Sequence, residues 1–171
     1  MEATLCEIAA QLNSWDHILV LSHRSPDGDT LGCASALCRA LMGLGKQVRF
    51  ACADLVTPRY AFLFEGLTFP DFEPEHVVTV DVAAPDLLGK LKETWYPRVE
   101  MCIDHHATNS METPLRYVDS QAAAACEIIY SLLCEMKVEI TPEIADCLYA
   151  GISSDTGCFK YQNVTPKTYR I

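Results

Sequence analysis

The sequence predicts an α/β fold with a mostly parallel, five-stranded sheet flanked by helices on both faces. Short apolar segments without polar alternation, such as Ile18-Leu19-Val20-Leu21, are typical of strands buried on both sides of a parallel sheet. Segments in which apolar residues recur at helical spacing separate these strands along the chain. The 171 residues, half of them hydrophobic, suffice for one packed domain and are too few for two independent cores.

Each element follows from its own local pattern. The first helix places Leu5, Ile8 and Leu12 on one face, and the second ends before Gly45, a residue type that commonly terminates helices. Pro142 stands at the first turn of the last helix, where proline is favoured. The predicted strands cover residues 17–21, 47–53, 77–82, 99–103 and 115–118, and the predicted helices cover residues 2–13, 30–44, 60–64, 86–94, 122–136 and 142–152.

The last residues have the pattern of a further helix start. Thr165 is a suitable N-cap and Pro166 a suitable first helical residue, but only five residues follow the pair. A helix that short is not stable alone. Either the chain ends in a frayed turn, or residues 1–171 are one domain of a longer protein, and we expect the second.

The charge balance excludes some classes of partner. The chain carries 13 Lys and Arg against 23 Asp and Glu, a formal net charge of −10. An acidic surface has no long-range attraction for long duplex nucleic acid or for anionic lipid, so we expect neither as a partner. No stretch approaches the roughly 18 apolar residues that a membrane span requires.

Nine cysteines are scattered through apolar segments, for example Cys33 and Cys38. Their number is odd, and no pair has the C-x-x-C spacing of a structural zinc site. This usage indicates reduced, buried thiols and predicts a cytoplasmic protein.

Acidic residues and histidines stand where apolar strands stop. The carboxyl ends of parallel strands meet at one edge of the sheet, where ligands bind in open α/β folds. We therefore expect these side chains to converge. They are His23, Asp27 and Asp29 after the first strand, Asp81 after the third, Asp104, His105 and His106 after the fourth, and Asp155 late in the chain.

Converging carboxylates repel one another unless cations compensate their charge. Histidine and aspartate ligands without thiolate favour manganese, with magnesium, iron and zinc as alternatives. Two such ions about 3.5–4 Å apart can lower the pKa of a shared water and neutralise phosphate oxygens. The set therefore predicts two divalent metal ions, most naturally Mn²⁺.

Simpler interpretations exist for single residues. The Pro26-to-Asp29 segment is compatible with an Asx-capped turn, and Asp155 with an ordinary helix-end acid. Asp81 is more telling, because a buried, unpaired carboxylate is costly inside an apolar strand. Arg24 is a candidate phosphate contact, with solvation as the alternative.

Four blocks of sequence, taken together and in this order, resemble the DHH phosphoesterase family. Their combination is more specific than any one block, and it spans nearly the whole chain. The blocks are Ser22-His23 with Pro26-Asp27-Gly28-Asp29 and Gly32; Val80-Asp81; Asp104-His105-His106 with Ala107-Thr108-Asn109; and Gly151-Ile152-Ser153-Ser154-Asp155-Thr156-Gly157 with Phe159.

The resemblance implies a division of labour among these residues. His23, Asp27 and Asp81 would hold one metal, and Asp29, Asp81, His105 and Asp155 the other, with Asp81 bridging. His106 would face the phosphate. Asp104 would orient a ligand histidine through a hydrogen bond.

The third and fourth blocks are most similar to the NrnA-type oligoribonucleases, which also dephosphorylate 3′-phosphoadenosine 5′-phosphate. The resemblance therefore implies a small nucleotide or short oligoribonucleotide as substrate, and an oligomer is compatible with a full-length protein. Such proteins carry a carboxyl-terminal DHHA1 domain, whose glycine-rich motif this chain lacks. The alternatives are a family II-like inorganic pyrophosphatase, a cyclic-dinucleotide phosphodiesterase and a non-catalytic metal-binding regulatory domain.

Overall fold

The computed structural model describes residues 2–171, so Met1, the first residue of the predicted domain, lies outside the described residues. Five strands form one sheet in which every neighbouring pair is parallel, in the order β2-β1-β3-β4-β5. The predicted fold class is confirmed. The strands are β1 (Ile18–Leu21), β2 (Val48–Ala51), β3 (His76–Val80), β4 (Val99–Asp104) and β5 (Leu115–Val118).

Five α-helices accompany the sheet, together with 3₁₀ segments. The α-helices are α1 (Leu5–Ser14), α2 (Gly28–Gly43), α3 (Lys92–Trp95), α4 (Ala125–Glu135) and α5 (Pro142–Asp155). The 3₁₀ segments are Pro58–Phe64, Pro85–Leu91 and Tyr96–Arg98.

The strand order reverses between β1 and β3. From β1 the chain moves outward to β2, and then returns to the other side of β1 to add β3, β4 and β5. The loops leaving β1 and β3 therefore diverge and open a crevice at their carboxyl ends, which is the usual ligand site of such sheets.

The two faces of the sheet are covered differently. Val20, Val78 and Ile103 project into a large core shared with α1, α2, α4 and α5. On the opposite face, Leu19 and Cys102 belong to a smaller core under Pro85–Leu91 and α3. Both faces are thus buried, which explains why the strands lack polar alternation.

The prediction of one regular helix over residues 86–94 is wrong. The segment is a 3₁₀ helix followed by the short α3, and Gly89 interrupts it with φ +55° and ψ −132°. A Cβ at this position would lie 3.0 Å from the Cβ of Ala53 and 3.3 Å from that of Arg24. Close approach of the segment to the loops after β1 and β2 therefore takes precedence over helical continuity.

The helix-start signal at Thr165-Pro166 leads to no regular helix, as expected for so few residues. Thr165 accepts hydrogen bonds from the amides of Lys167 and Thr168, at 3.2 and 3.3 Å, as an N-cap does. The residues that follow it form turns and no helix.

All nine cysteines lie within the described residues, and none forms a disulfide. Cys33, Cys38, Cys102, Cys126 and Cys147 are buried. Across residues 2–171, no helix combines the length and apolar character needed to cross a membrane.

Helices α2 and α5 pack closely because both carry glycine where they touch. A Cβ on Gly32 would lie 2.5 Å from the carbonyl oxygen of Cys147 and 3.2 Å from the amide nitrogen of Gly151. Both neighbours are backbone atoms, which a side-chain rotation cannot move. This contact holds the ends of α2 and α5 that carry ionisable residues at the carboxyl edge of the sheet.

We predict that Gly32→Ala lowers the free energy of unfolding by about 1–3 kcal/mol, the usual cost of forcing a methyl group into a packed contact. Gly43→Ala is the matched control, since the same helix has nothing within 4 Å of a Cβ there. Alanine at that position should be neutral or stabilising by up to about 1 kcal/mol. Chemical denaturation of both variants measures the difference, and equal stabilities would contradict the proposed close contact.

Candidate metal centre

Asp27 begins the site by capping α2. Its side chain accepts hydrogen bonds from the amides of Asp29 and Thr30, at 3.0 and 3.1 Å. Because this cap starts the helix at Gly28, α2 begins two residues earlier than the sequence predicted. The turn interpretation was therefore correct locally, and the same carboxylate also faces the ring of His23.

Asp29, in the first turn of α2, caps a second helix. The N-cap position of α4 is Ala124, which has no polar side chain. Both oxygens of Asp29 replace it, accepting hydrogen bonds from the amides of Ala125 at 2.6 Å and Cys126 at 3.0 Å. Asp29 is completely buried, and the positive end of α4 offsets part of its charge.

Asp81 follows β3 in a conformation that only a few non-glycine residues adopt. Its φ is +56°, and its amide donates a 2.9 Å hydrogen bond to the carbonyl of Ile103. Strained backbone of this kind clusters at functional sites. The strain turns a carboxylate that is only 2% exposed toward the carboxyl edge of the sheet.

His105 and Asp155 come from opposite sides of the site. Asp155 is the last residue of α5, which extends three residues beyond its predicted end. The Nε2 atom of His105 lies 3.3 Å from Asp155, 3.7 Å from Asp81 and 3.9 Å from Asp29. The other ring nitrogen is 3.2 Å from the carbonyl oxygen of Ala122.

Asp81 stands between two groups of candidate ligands. Its Oδ2 atom is 3.7 Å from the Nε2 atom of His23, and its Oδ1 atom faces His105. The ligand atoms within each group lie within 4.8 Å of one another. Two groups contain Asp81, one with His23 and Asp27 and the other with His105 and His106; a third group is Asp29, His105 and Asp155, and a fourth is Asp29, Cys33 and Cys126.

Two buried polar atoms at the centre of this arrangement have no hydrogen-bond partner among the described residues. They are Oδ1 of Asp81 and Nε2 of His105, which face each other at 3.7 Å. Unsatisfied buried polar groups are rare and costly in native proteins. A set of carboxylate and imidazole donors that leaves such atoms unsatisfied fits divalent cations as the missing partners.

Charge compensation in the metal-free protein rests on the histidines. Burial lowers the pKa of His23, but interaction with Asp27 and Asp81 outweighs it and raises the pKa to about 10. For His105, interaction with Asp155 and the charges nearby likewise outweigh burial and raise the pKa to about 9. Both rings are therefore imidazolium at neutral pH without metal, and metal binding must displace their protons.

For two of the carboxylates, burial disfavours the charged form and is not outweighed by neighbouring groups. Burial raises the pKa of Asp81 to about 6. Burial, reinforced by the charges of Asp81 and Asp155, raises the pKa of Asp29. Each of these groups is thus costly to ionise without a cation nearby.

Asp104 organises the outer part of the site and corrects one expectation. Its Oδ1 atom is 2.8 Å from Nδ1 of His106 and accepts the amide of His105 at 2.8 Å. We expected it to orient a ligand histidine, but the ring it contacts is that of His106, the one expected to face phosphate. Burial raises the pKa of Asp104, yet its bonds to His106 and Asn109 outweigh burial and lower it. The hydrogen bond to Asp104 in turn raises the pKa of His106.

Arg24 differs from the other candidates. Its backbone carbonyl lies 2.7 Å from Nδ1 of His23, and its amide donates to the carbonyl of Leu87 at 2.6 Å. The structure therefore connects the backbone of Arg24 to the ring of His23, a candidate metal ligand.

Two residues to which the sequence analysis gave no role also support the site. Asn109 donates to Oδ2 of Asp104 at 2.7 Å and to the carbonyl of Val82 at 3.1 Å. Gly151 makes room for the site, since a Cβ there would lie 2.7 Å from Oδ1 of Asp29. Both belong to the blocks that carry the family resemblance, but neither could be given a role without coordinates.

Comparison with known families matches residues 17–152 to the DHH family, N-terminal domain. The chain belongs to the DHH family. The matched range includes seven of the eight residues at the site and ends just before Asp155.

Curated relatives cover nearly all of this chain. It is 34% identical over 167 residues to the bifunctional oligoribonuclease and PAP phosphatase NrnA of Thermus thermophilus, an alignment of 90% of this chain and 48% of the relative. It is 28% identical over 160 residues to "Probable manganese-dependent inorganic pyrophosphatase" of Enterococcus faecalis, with 86% of this chain and 51% of the relative covered. The chain thus spans about half the length of the curated relatives it matches.

Solved structures share the fold. An exopolyphosphatase-related protein from Bacteroides fragilis superposes with a TM-score of 0.87 at 20% identity, covering 97% of this chain and 54% of that one. Exonuclease RecJ bound to manganese gives a TM-score of 0.55 at 19% identity, covering 92% of this chain and 43% of that one.

We predict that Asn109→Ala lowers the free energy of unfolding by about 1–3 kcal/mol, because the buried Asp104 carboxylate loses a hydrogen-bond donor. Asn13→Ala, on the exposed side of α1, is the matched control and should change stability by less than about 0.5 kcal/mol. Denaturation with a chelator present separates this effect from metal binding. If the two variants are equally stable, Asn109 does not support Asp104.

Proposed function

We propose that this chain is the catalytic domain of a metal-dependent phosphoesterase. The observation that carries the proposal is the pair of unsatisfied buried atoms, Oδ1 of Asp81 and Nε2 of His105, within a cluster of carboxylates and imidazoles at the crevice of the sheet. Membership of the DHH family supports the same activity class. So do relatives named as a phosphatase and a pyrophosphatase.

Six residues are proposed to hold two divalent cations. Asp81 is common to both sets because its two oxygens face different histidines, His23 and His105. Manganese is the proposed ion, supported by the ligand types and by manganese in the names of a relative and of a structure with the same fold. His23, Asp27 and Asp81 would form one set, and Asp29, Asp81, His105 and Asp155 the other.

Cations bound here would supply a water of lowered pKa and neutralise the oxygens of a phosphate. The chain itself would supply orientation and charge. His106 is 45% exposed at its side chain, with Nδ1 held by Asp104, so its remaining ring nitrogen is available to a ligand. An imidazolium in that position can stabilise negative charge on a phosphate oxygen or donate a proton to it.

The proposed substrates are short oligoribonucleotides, which would yield mononucleotides, and the 3′-phosphate of 3′-phosphoadenosine 5′-phosphate. The NrnA relative supports them with higher identity over more of the chain than the pyrophosphatase relative. Inorganic pyrophosphate is the second candidate, favoured by that latter likeness. Hydrolysis of a panel of dinucleotide, 3′-phosphoadenosine 5′-phosphate, pyrophosphate and cyclic dinucleotide would rank them.

We predict that exhaustive chelation abolishes phosphate release and that Mn²⁺ restores it. Asp81→Ala should remove activity and reduce the content of both metals, since one carboxylate serves two sets. His106→Ala should lower kcat by about 10²–10³-fold, as loss of a charge-stabilising donor typically does, with metal content near normal. Metal analysis and steady-state kinetics on each purified variant measure both effects.

Three results would contradict these assignments. Full activity after chelation would exclude a metal-dependent reaction. Loss of metal in His106→Ala would show that His106 is a ligand. Stoichiometric metal binding by the full-length protein without hydrolysis of any panel member would indicate a regulatory metal-binding domain instead of an enzyme.

A further inference from the structure

A groove runs between the 3₁₀ segment Pro58–Phe64 and the carboxyl-terminal half of α5, and we call it the α5 groove. Its volume is about 520 Å³, within the range of small-molecule sites. The residues that matter to its chemistry are Arg59, Tyr60, Phe62, Tyr149, Ser153 and Ser154. None of them belongs to the proposed metal ligands.

The α5 groove begins next to the metal centre. Ser154, in its wall, directly precedes Asp155 in the chain. A Cβ on Gly28 would lie 2.7 Å from the Cβ of Ser154, and Gly28 separates Asp27 from Asp29. The wall is therefore in van der Waals contact with the backbone that presents two of the metal-facing carboxylates.

A strained turn shapes the end of the groove nearest the site. Gly157, Cys158 and Phe159 have φ values of +55°, +57° and +64°, so two successive non-glycine residues are left-handed. The amide of Cys158 donates to the carbonyl of Ser153 at 2.8 Å, and the amide of Phe159 donates to Oγ1 of Thr156 at 3.0 Å. These bonds hold the turn, and with it Gly157 and Cys158, as part of the groove wall.

The groove presents aromatic surface where stable monomers usually expose little. Phe62 is 50% exposed and Tyr149 is 63% exposed, one on each side. Arg59 holds its guanidinium 5.3 Å from the ring centroid of Tyr60. Aromatic faces and arginine are the groups on which nucleobases stack, irrespective of base identity.

The charge of the groove also differs from that of the metal centre. Its ionisable lining is one cation and one anion, Arg59 and Asp146, so it lacks the carboxylate excess of the site beside it. The hydroxyls of Ser153 and Ser154 add polar groups suited to ribose. An uncharged base with its sugar therefore fits the groove, while the attached phosphate fits the metal centre.

Position separates this groove from a second cavity of about 410 Å³. That cavity is lined by Lys137, Thr141 and Glu143, at the amino-terminal end of α5. The helix has 14 residues, so this cavity lies about 20 Å along the axis from Asp155. It cannot hold a group directly bonded to a phosphate at the metal centre.

We propose that the α5 groove binds the nucleoside joined to the phosphate that the metal centre holds, with the base stacked on Tyr149 and Phe62. The inference rests on the proposed phosphoesterase function and assigns its nucleoside specificity to residues of this chain.

The first experiment measures binding without turnover. Affinities of AMP and of inorganic phosphate for the Mn²⁺-loaded protein are compared by calorimetry in wild type and in the double variant Tyr149→Ala/Phe62→Ala. Loss of stacking should lower the affinity for AMP by about 10-fold or more and leave the affinity for phosphate within about 2-fold of that of wild type. Tyr149→Phe keeps an aromatic ring and should retain most of the affinity for AMP.

The second experiment uses kcat/KM on a diadenosine dinucleotide and on two analogues, each lacking one base. On the intact dinucleotide, the double variant should have a kcat/KM about 10-fold or more below that of wild type. On the analogue that lacks the base expected to bind in the groove, the two proteins should have the same kcat/KM. Leu55→Ala is the control, because Leu55 is 90% exposed and lies outside the groove. It should match wild type on all three substrates.

The outcomes separate the two proposals. If the affinities for AMP and for phosphate fall equally in the double variant, or if neither affinity changes, the groove does not bind the nucleoside and the inference is overturned. A protein segment would then be the better candidate for covering the groove. If the double variant loses affinity for AMP alone while the wild-type protein hydrolyses no panel substrate, the groove assignment stands and the enzymatic proposal fails. Thermal unfolding and metal content of each variant exclude misfolding as the cause.

Discussion

The rest of the site depends on the hydrogen bonds between the Asp29 carboxylate and the amino-terminal end of α4. Asp29 sits in the first turn of α2, yet its two oxygens accept the first free amides of α4, at 2.6 and 3.0 Å. It thereby joins two helices and satisfies a helix end that has no capping side chain of its own. With both oxygens engaged, the carboxylate cannot rotate, so its distance to His105 is determined by the packing of the domain. Gly151 completes the arrangement, because any Cβ on this residue of α5 would press on the same carboxylate.

This construction accumulates negative charge that the protein alone compensates poorly. The amino-terminal end of α4 offsets Asp29, and two imidazolium rings offset part of the remainder. Burial nevertheless raises the pKa of Asp81 to about 6, so this carboxylate remains costly to ionise. Divalent cations would remove that cost, and they would release protons from His23 and His105 as they bind. Stability, metal affinity and pH are therefore linked through the same few side chains.

Sequence patterns predicted the strands and the convergence of charged residues because both follow from burial and from the geometry of parallel sheets. They predicted less where tertiary contacts override local preference. Gly89 breaks a helical segment because the loops after β1 and β2 approach it closely. Which of two adjacent histidines contacts Asp104 could not be predicted, since strand-end spacing does not determine which ring turns toward it. The metal-binding roles themselves remain predictions that the geometry is compatible with.

Helix α5 connects the two chemical functions proposed for this chain. It contributes Asp155 to the metal centre at its last residue and Tyr149 to the groove six residues earlier, a rise of about 9 Å along the axis. The helix is held in place by backbone contacts with the glycines of α2, which allow no sliding without steric conflict. The spacing between the proposed cation-binding and base-stacking surfaces is therefore determined by one helix. A phosphate placed at the metal centre would have its nucleoside positioned by the same helix, so that recognition and reaction geometry would be determined together.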